Sequence, residues 1–492
     1  MHDPRAAALK DLRAVLSDED IRGAENCARR MCDSLPHQGD LRRNLILVAY
    51  GGGKDSSYTL AFARTVQLLT LERAGTTFRL RVATNRHSGM PRAVMENIDR
   101  TYTALRLHDD PDAELLLIDG RTVRPFAMDT PLPPEVVRRN RTDVLMTGHR
   151  TAGDGRSTFC NACNLSMMNS FGVAAGHGEG VDLIITGDSP QEQRDYYLWV
   201  SRIARRFHLQ PPVADRGGVK GFLSSLDGIA GNYFQDIHGE DADVEGHRVA
   251  SEVPRSVAFF SIFDHTDYAS GRHWPLLTDL IGFNFDDLAF SFTESDCANP
   301  ALMAHMRALK CERRYGRSYA EGILEYLGFA LDLMRKKEFP DHLIDLMRRR
   351  YTGEDAVRRM RAAMDAYALD AYALTAEHLV AVTYAPFAEK GANLAGYLTA
   401  EQPDMADALD DLHALLAGDD AHPGLAHRLE TVSGLTLAQL RTLYGKPLRL
   451  PVTTAAEGVM IDAILDGDPH KAVIPTRHTP NGPVVPELLS GR

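Results

Sequence analysis

The chain has only two tryptophans and six cysteines in 492 residues, and none of its apolar runs approaches the length of a membrane span. These shortages exclude a disulfide-dense secreted scaffold and argue against a membrane-spanning protein. The opening stretch "MHDPRAAALKDLRAVLSDED" lacks an apolar h-region, so no secretory leader is expected and the cytoplasm is the expected compartment. Positive charge is also in deficit. With 55 Lys and Arg against 67 Asp and Glu, the net charge of −12 disfavours nucleic acid as the main partner. The basic clusters Arg138, Arg139 and Arg141, and Arg348 to Arg350, read as solvated helical surface. There is no internal repeat and no low-complexity tract.

What is present alternates. Residues 5–35 read as helix. Leu45 to Ala49 is a short apolar run of the kind buried on both faces of a parallel sheet. A helical pattern closed by Gly75 follows, then the strand "FRLRVAT", a helix around "PRAVMENIDRTYTALRL", and the strands "AELLLID", "VDLIITG" and "SVAFFSIF". Strands separated by helices define βαβ units, so the expected fold class is α/β with a doubly wound, mainly parallel sheet. From Asn299 the texture is helical. The expected division is therefore an N-terminal helical segment (1–40), an α/β domain (41–298), a helical domain (299–420), and a mixed segment with an extended tail (421–492). The C-terminal third carries no interpretable motif; packing or homodimerisation is its default role.

The stretch "LILVAYGGGKDSSYTL" (45–60) places three glycines where a strand hands over to a helix. Backbone N–H groups of such a loop, together with a helix N-terminus, make an anion site. Glycine is needed for close approach and for positive φ. The triphosphatase pattern G-x-x-x-x-G-K-[ST] fails because Asp55 follows Lys54, and G-x-G-x-x-G fails too. What remains is G-G-x-D-S: Gly52, Gly53, Lys54, Asp55, Ser56.

This motif resembles the pyrophosphate loop of the N-type ATP pyrophosphatases (the PP-loop superfamily), whose usual pattern is S-G-G-x-D-S. Gly51 stands where that family usually has serine. The resemblance implies an adenine nucleotide alpha-hydrolase-like fold and cleavage of ATP between its α and β phosphates. AMP passes to a carbonyl or carboxyl oxygen, and a nitrogen or sulfur nucleophile then displaces it. It implies that Gly51, Gly52, Gly53, Ser56 and Ser57 cradle pyrophosphate and that Asp55 helps hold Mg²⁺. Lys54 lies within the loop and reads as solvated. The resemblance also implies that Ala83, Thr84 and Asn85, ending the second strand, lie beside adenine and ribose; Arg86 and His87 read equally as ligands or as loop residues.

A second stretch, "STFCNACNLSMMNSFGVAAGHGEGVDLIITGDSPQEQRDYYLW", sets Cys160 and Cys163 in a loop before a helix that leads to a strand and a polar turn. This order is similar to that of PP-loop thiolases and N-acetyl sugar amidotransferases. Where many relatives read G-H-x-x-D-D, this chain has Gly187, Asp188, Ser189, Pro190, Gln191 and Glu192; Gly187 is expected against the nucleotide, and Asp188 with Glu192 near the α-phosphate or Mg²⁺. A thiolate pair two residues apart suits one metal and needs further ligands. Cys160, Cys163, Cys297 and Cys311 make a chemically sensible zinc set, with three of them around an iron–sulfur cluster as the alternative, and plain buried cysteines as the third reading. "DRGGVKGF", around Lys220, is either a phosphate loop or a surface turn. Asp264, His265 and Asp267 end a strand where ligands gather.

The first expectation for function is an ATP-dependent, adenylating amidotransferase or ligase acting on a small molecule. No glutaminase signature is visible, so ammonia would come from solution or a partner protein, or an amine substrate would serve. The alternative is a thiolase acting on a small molecule or tRNA, fed by a sulfur-donating partner. A non-catalytic nucleotide-binding protein is the third.

Overall fold

The computed structural model describes residues 3–159, 161–185, 190–210, 218–266, 273–290, 296–420, 422–449, 459–467 and 471–490. Two helices precede the sheet, α1 (Pro4–Val15) and α2 (Asp18–Ser34), where the sequence suggested one. The break comes from Ser17. Its hydroxyl accepts from Asp20 N while the Asp20 carboxylate accepts from Ser17 N, and this capping box starts a second helix.

The next elements are β1 (Leu45–Ala49), α3 (Lys54–Ala74), β2 (Arg79–Asn85), α4 (Arg92–Ala104), β3 (Ala113–Asp119) and β4 (Thr122–Pro125). Gly75 ends α3 in the left-handed conformation, φ 68°. After them come α5 (Pro134–Thr151), α6 (Gly155–Phe159), α7 (Asn161–Gly176), β5 (Leu183–Ile185), α8 (Pro190–Arg206), α9 (Gly218–His238) and β6 (Ala258–Phe260). The strands form one sheet in the order β4-β3-β2-β1-β5-β6, parallel except for β4, which returns antiparallel to β3. The chain runs outward from β1 through β2 to β3, then crosses back to lay β5 against the other side of β1. The carboxyl ends of β1 and β5 therefore flank a topological switch point, the place where open α/β sheets bind ligands.

Side chains alternate along a strand. Ile46 and Val48 of β1 join a core with Leu12, Met31, Phe62 and Ile98 from α1 to α4. Leu45 and Leu47 join the opposite core with Phe171, Leu226 and Phe234 of α7 and α9. The second core continues without interruption across residue 299 into the helical region, through Leu302 and Met306 to Leu379 and Leu440.

That region begins with α10 (Asn299–Arg313), whose residues from Asn299 to Leu309 are all buried. Around it lie α11 (Tyr319–Lys336), α12 (Asp341–Arg350), α13 (Glu354–Tyr372) and α14 (Ala376–Tyr384), followed by shorter helices. The expected extended tail is instead a hairpin of β7 (Lys471–Thr476) and β8 (Val485–Ser490). It is held to the helices by charge: Glu487 accepts from Arg307 Nη1 at 2.7 Å and from Lys310 Nζ at 3.0 Å. Among the described residues, no helix is long and apolar enough to cross a membrane.

Candidate active site

The glycine loop leaves the carboxyl end of β1, the strand flanked by β2 and β5. Gly52 has φ +78°, and a Cβ there would stand 2.7 Å from Val94 Cγ1 and 2.8 Å from Ile98 Cγ1 of α4. Both the backbone and the packing thus require glycine. Gly53 is the N-cap of α3 and brings no capping side chain, so the N–H groups of the first turn have no intrahelical acceptor. Ser56 Oγ donates to Gly53 O at 3.0 Å. Ser57, fully buried, donates to the same carbonyl at 2.8 Å and touches the Tyr50 hydroxyl at 3.0 Å, so its hydroxyl braces the loop from within. Asp55 is half-exposed at the head of the helix.

Lys54 is not solvated. Its side chain is 4% exposed, it pairs with Asp55, and its ammonium lies 5.4 Å from the centre of the Phe339 ring, which joins α11 to α12. The first turn of α3 is thereby tied to the helical region.

Three further segments converge on this edge. At the end of β2, Ala83 and Thr84 are buried, and Ala83 O accepts from Tyr50 N at 3.0 Å. Of the three residues expected beside adenine, Asn85 alone keeps a half-buried side chain, which accepts from Ser166 Oγ of α7 at 3.4 Å. Arg86 spends its guanidinium on the Asp119 carboxylate (2.7 and 2.6 Å) and on Thr130 O, bracing the ends of β2 and β3. His87 is buried, accepts from Gly89 N through Nδ1 at 3.1 Å, and is pushed by burial down to about 4, so it is neutral at pH 7.

The segment 296–299 crosses the same edge. The Asp296 carboxylate lies against Gly51, Ala298 N donates to Gly89 O at 2.9 Å, and Asn299 accepts from Tyr372 at 2.7 Å. A Cβ on Gly89 would stand 2.3 Å from Asn299 Oδ1, so this docking also requires glycine. Sequence reasoning stopped at Cys297 in "TESDCANP" and passed over Asp296 beside it; an acidic residue just before the helix N-terminus was the available signal.

The four expected cysteine ligands do not come together. Cys297 precedes α10, whereas Cys311 lies near its far end; the twelve helical steps from Asn299 to Cys311 rise about 18 Å. One ion with bonds of about 2.3 Å cannot reach both. Cys311 is buried with its sulfur 3.9 Å from Glu325 Oε2, and burial pushes its thiol up to about 11, which keeps the thiolate scarce. Two residues after Cys297, Asn299 Nδ2 donates to Phe159 O at 3.5 Å. Cys160 and the Cys163 side chain lie outside the described residues, although the backbone places Cys163 in the first turn of α7 and not in a loop before it.

Gly187 and Asp188, after β5, also lie outside the described residues, as does Asp267. His265 Nε2 lies 3.2 Å from Arg30 of α2, and the next residue, Thr266, meets Tyr58 of α3. Lys220 lies in the first turn of α9 and pairs with Glu252 at 2.7 Å on the surface. The basic clusters are partly internal: Arg141 donates to Ala373 O and Gly434 O, and Arg350 to Ala289 O. A cavity lined by Leu45, Arg79, Arg81, Asp112 and Glu114 opens at the amino ends of the strands, the opposite edge from the loop.

Comparison with protein-family models, with curated proteins and with solved structures returns no match. The functional reading therefore stands on the site alone.

Proposed function

We propose that the chain is a PP-loop ATP pyrophosphatase, adenine nucleotide alpha-hydrolase-like in fold, that adenylates an oxygen of a small molecule and then replaces AMP with a nitrogen nucleophile. The observation that carries this reading is the loop Gly51–Gly53, leading from the central strand into the N-terminus of α3 at the switch point of the sheet. The helix dipole and the first-turn N–H groups favour a polyanion there. Gly52, Gly53 and Ser56 hold the departing pyrophosphate, and Ser57 and Lys54 hold the loop. Asp55 and Asp296 are the carboxylates at its mouth; a Mg²⁺ ion bound with the nucleotide would offset their charge and that of the phosphates. The substrate oxygen attacks the α-phosphorus and pyrophosphate leaves; the nitrogen then attacks the activated carbon, and AMP departs with the oxygen.

The test is substrate-dependent pyrophosphate release in a metabolite screen. Asp55→Ala abolishes release on this reading, and release at the wild-type rate in that variant refutes the loop assignment.

One observation favours a second reading, sulfur transfer. The sequence carries the Cys160-x-x-Cys163 pair, and the length of α10 separates Cys297 from Cys311, so three cysteines and not four remain as candidate ligands, the number an iron–sulfur cluster can use. Brown protein with visible iron–sulfur absorbance selects this reading; colourless protein whose zinc is lost in the Cys160→Ser/Cys163→Ser variant favours nitrogen.

A further inference from the structure

Away from the glycine loop and the cysteines, three side chains distant in sequence meet between α5, the end of α9 and the short turn Glu245–His247. Helix α9 stops at His238, Gly239 turns the chain with φ +106°, and the turn brings His247 back beside it. His238 Nε2 lies 2.8 Å and His247 Nε2 2.9 Å from the same oxygen, Asp143 Oδ1. The three ligand atoms all lie within 4.8 Å of one another. An octahedral ion with bonds of about 2.1 Å needs adjacent ligand atoms about 3.0 Å apart, which is the spacing of both His–Asp edges.

The set is prearranged. Phe234, one turn before His238 on α9, stacks on the His238 ring (interplanar angle 7°) and lies 4.0 Å from the centre of the His247 ring. Asp143 is buried, while both imidazoles reach the surface at about a tenth of their area, so the cluster borders solvent. His247 Nδ1 is buried with no hydrogen-bond partner among the described residues, which leaves Nε2 as the polar tie of that ring. One turn before Asp143, Asn140 accepts from Ser88 N in the loop after β2, so the cluster lies along the carboxyl edge of the sheet.

We propose that Asp143, His238 and His247 bind one divalent first-row transition-metal ion through two nitrogens and one carboxylate oxygen, with the remaining positions filled by water. Two imidazoles and one carboxylate select this borderline class over Mg²⁺ or Ca²⁺, and open positions suit an ion that activates water or a bound oxygen. On entry the ion takes both Nε2 lone pairs, and their protons move to Nδ1 or to solvent.

The test is titration of chelator-stripped full-length protein with Co²⁺ alone. The expected result is one equivalent bound with a nitrogen–oxygen spectrum that lacks a thiolate charge-transfer band. This uptake persists in the Cys160→Ser/Cys163→Ser double variant and weakens at least about tenfold in Asp143→Asn and in His247→Gln. Circular dichroism verifies the folding of each variant. If the buried Asp143→Asn does not fold, the result from His247→Gln and the wild-type spectrum decide. Absence of stoichiometric uptake, a spectrum showing thiolate ligation only, or unchanged affinity in folded His247→Gln overturns the proposal.

Discussion

Asp296 Oδ2 stands 3.3 Å from the point at which a Cβ on Gly51 would lie, so a carboxylate covers the first glycine of the loop. On the proposed reading this carboxylate acts with Asp55 on the nucleotide-bound Mg²⁺. Asp296→Asn then raises the Mg²⁺ concentration needed for half-maximal pyrophosphate release about tenfold, equivalent to about 1.4 kcal/mol. Because Asp296 is only part-buried, urea unfolding of that variant stays within about 1 kcal/mol of wild type.

Gly52→Ala tests the loop geometry without any assumption about function. It combines a left-handed residue, about 1–2 kcal/mol, with overpacking against Val94 and Ile98, about 1–3 kcal/mol. Chemical denaturation should show a loss of about 2–5 kcal/mol, well above that for Gly51→Ala, whose nearest neighbour is a side chain that can move aside.

Lys54 separates packing from charge. Lys54→Met keeps the length of the buried stem and leaves a carboxylate that solvent already reaches, so stability changes by less than about 1 kcal/mol. Lys54→Ala removes the stem and costs about 2 kcal/mol or more by the same measurement.

Acid sensitivity follows from two buried histidines. Burial depresses His87 to about 4 and His149 to about 3, against the ordinary 6.5 of an imidazole. As pH falls below 6.5 the unfolded chain takes up protons that the folded chain refuses. Stability therefore drops by up to about 1.4 kcal/mol per pH unit for each group until the folded-state value is reached. Glu487 adds a later loss: burial pushes its carboxyl up, but Lys310 and Arg307 outweigh that and hold it at about 2, so its contribution is present above 4.5 and fades as pH falls toward 2. His149 lies in edge contact with Phe387, and neither ring nitrogen has a hydrogen-bond partner among the described residues. His149→Phe therefore removes one histidine's share of the slope between pH 6.5 and 4, read by urea unfolding across that range, while leaving stability at pH 8 within about 1 kcal/mol.

Cysteine roles separate by the same logic. Cys311→Ser leaves the metal content of purified protein unchanged, whereas Cys297→Ser lowers it if a metal or cluster is held beside Phe159. Elemental analysis of the two variants reads the difference.

The sequence was legible where one face or one run decides the structure. Strand β1 is a continuous apolar run, β2 and β3 keep apolar stretches around Arg81 and after Glu114, and the Gly75 cap is a local signal. Strands β7 and β8 were not legible because Pro475 and Pro486, which stand opposite each other in the hairpin, disguise the pattern. β4 is four residues long and mostly uncovered, with no apolar period to read. The glycine loop could be read from its own residues, but the inward turn of Ser57 and the burial of Lys54 depend on Tyr50 and Phe339, which no local spacing reveals. Asp143 lies 95 residues from His238 and 104 from His247, so only the packing of α9 on α5 unites them.

The central claim is the position at which ATP is cleaved. Phosphorus NMR of ATP incubated with the protein, Mg²⁺ and a metabolite pool tests it most directly. The account predicts AMP and pyrophosphate in equal amounts, with neither formed by Asp55→Ala. ADP and orthophosphate, or pyrophosphate formed equally by that variant, would contradict it.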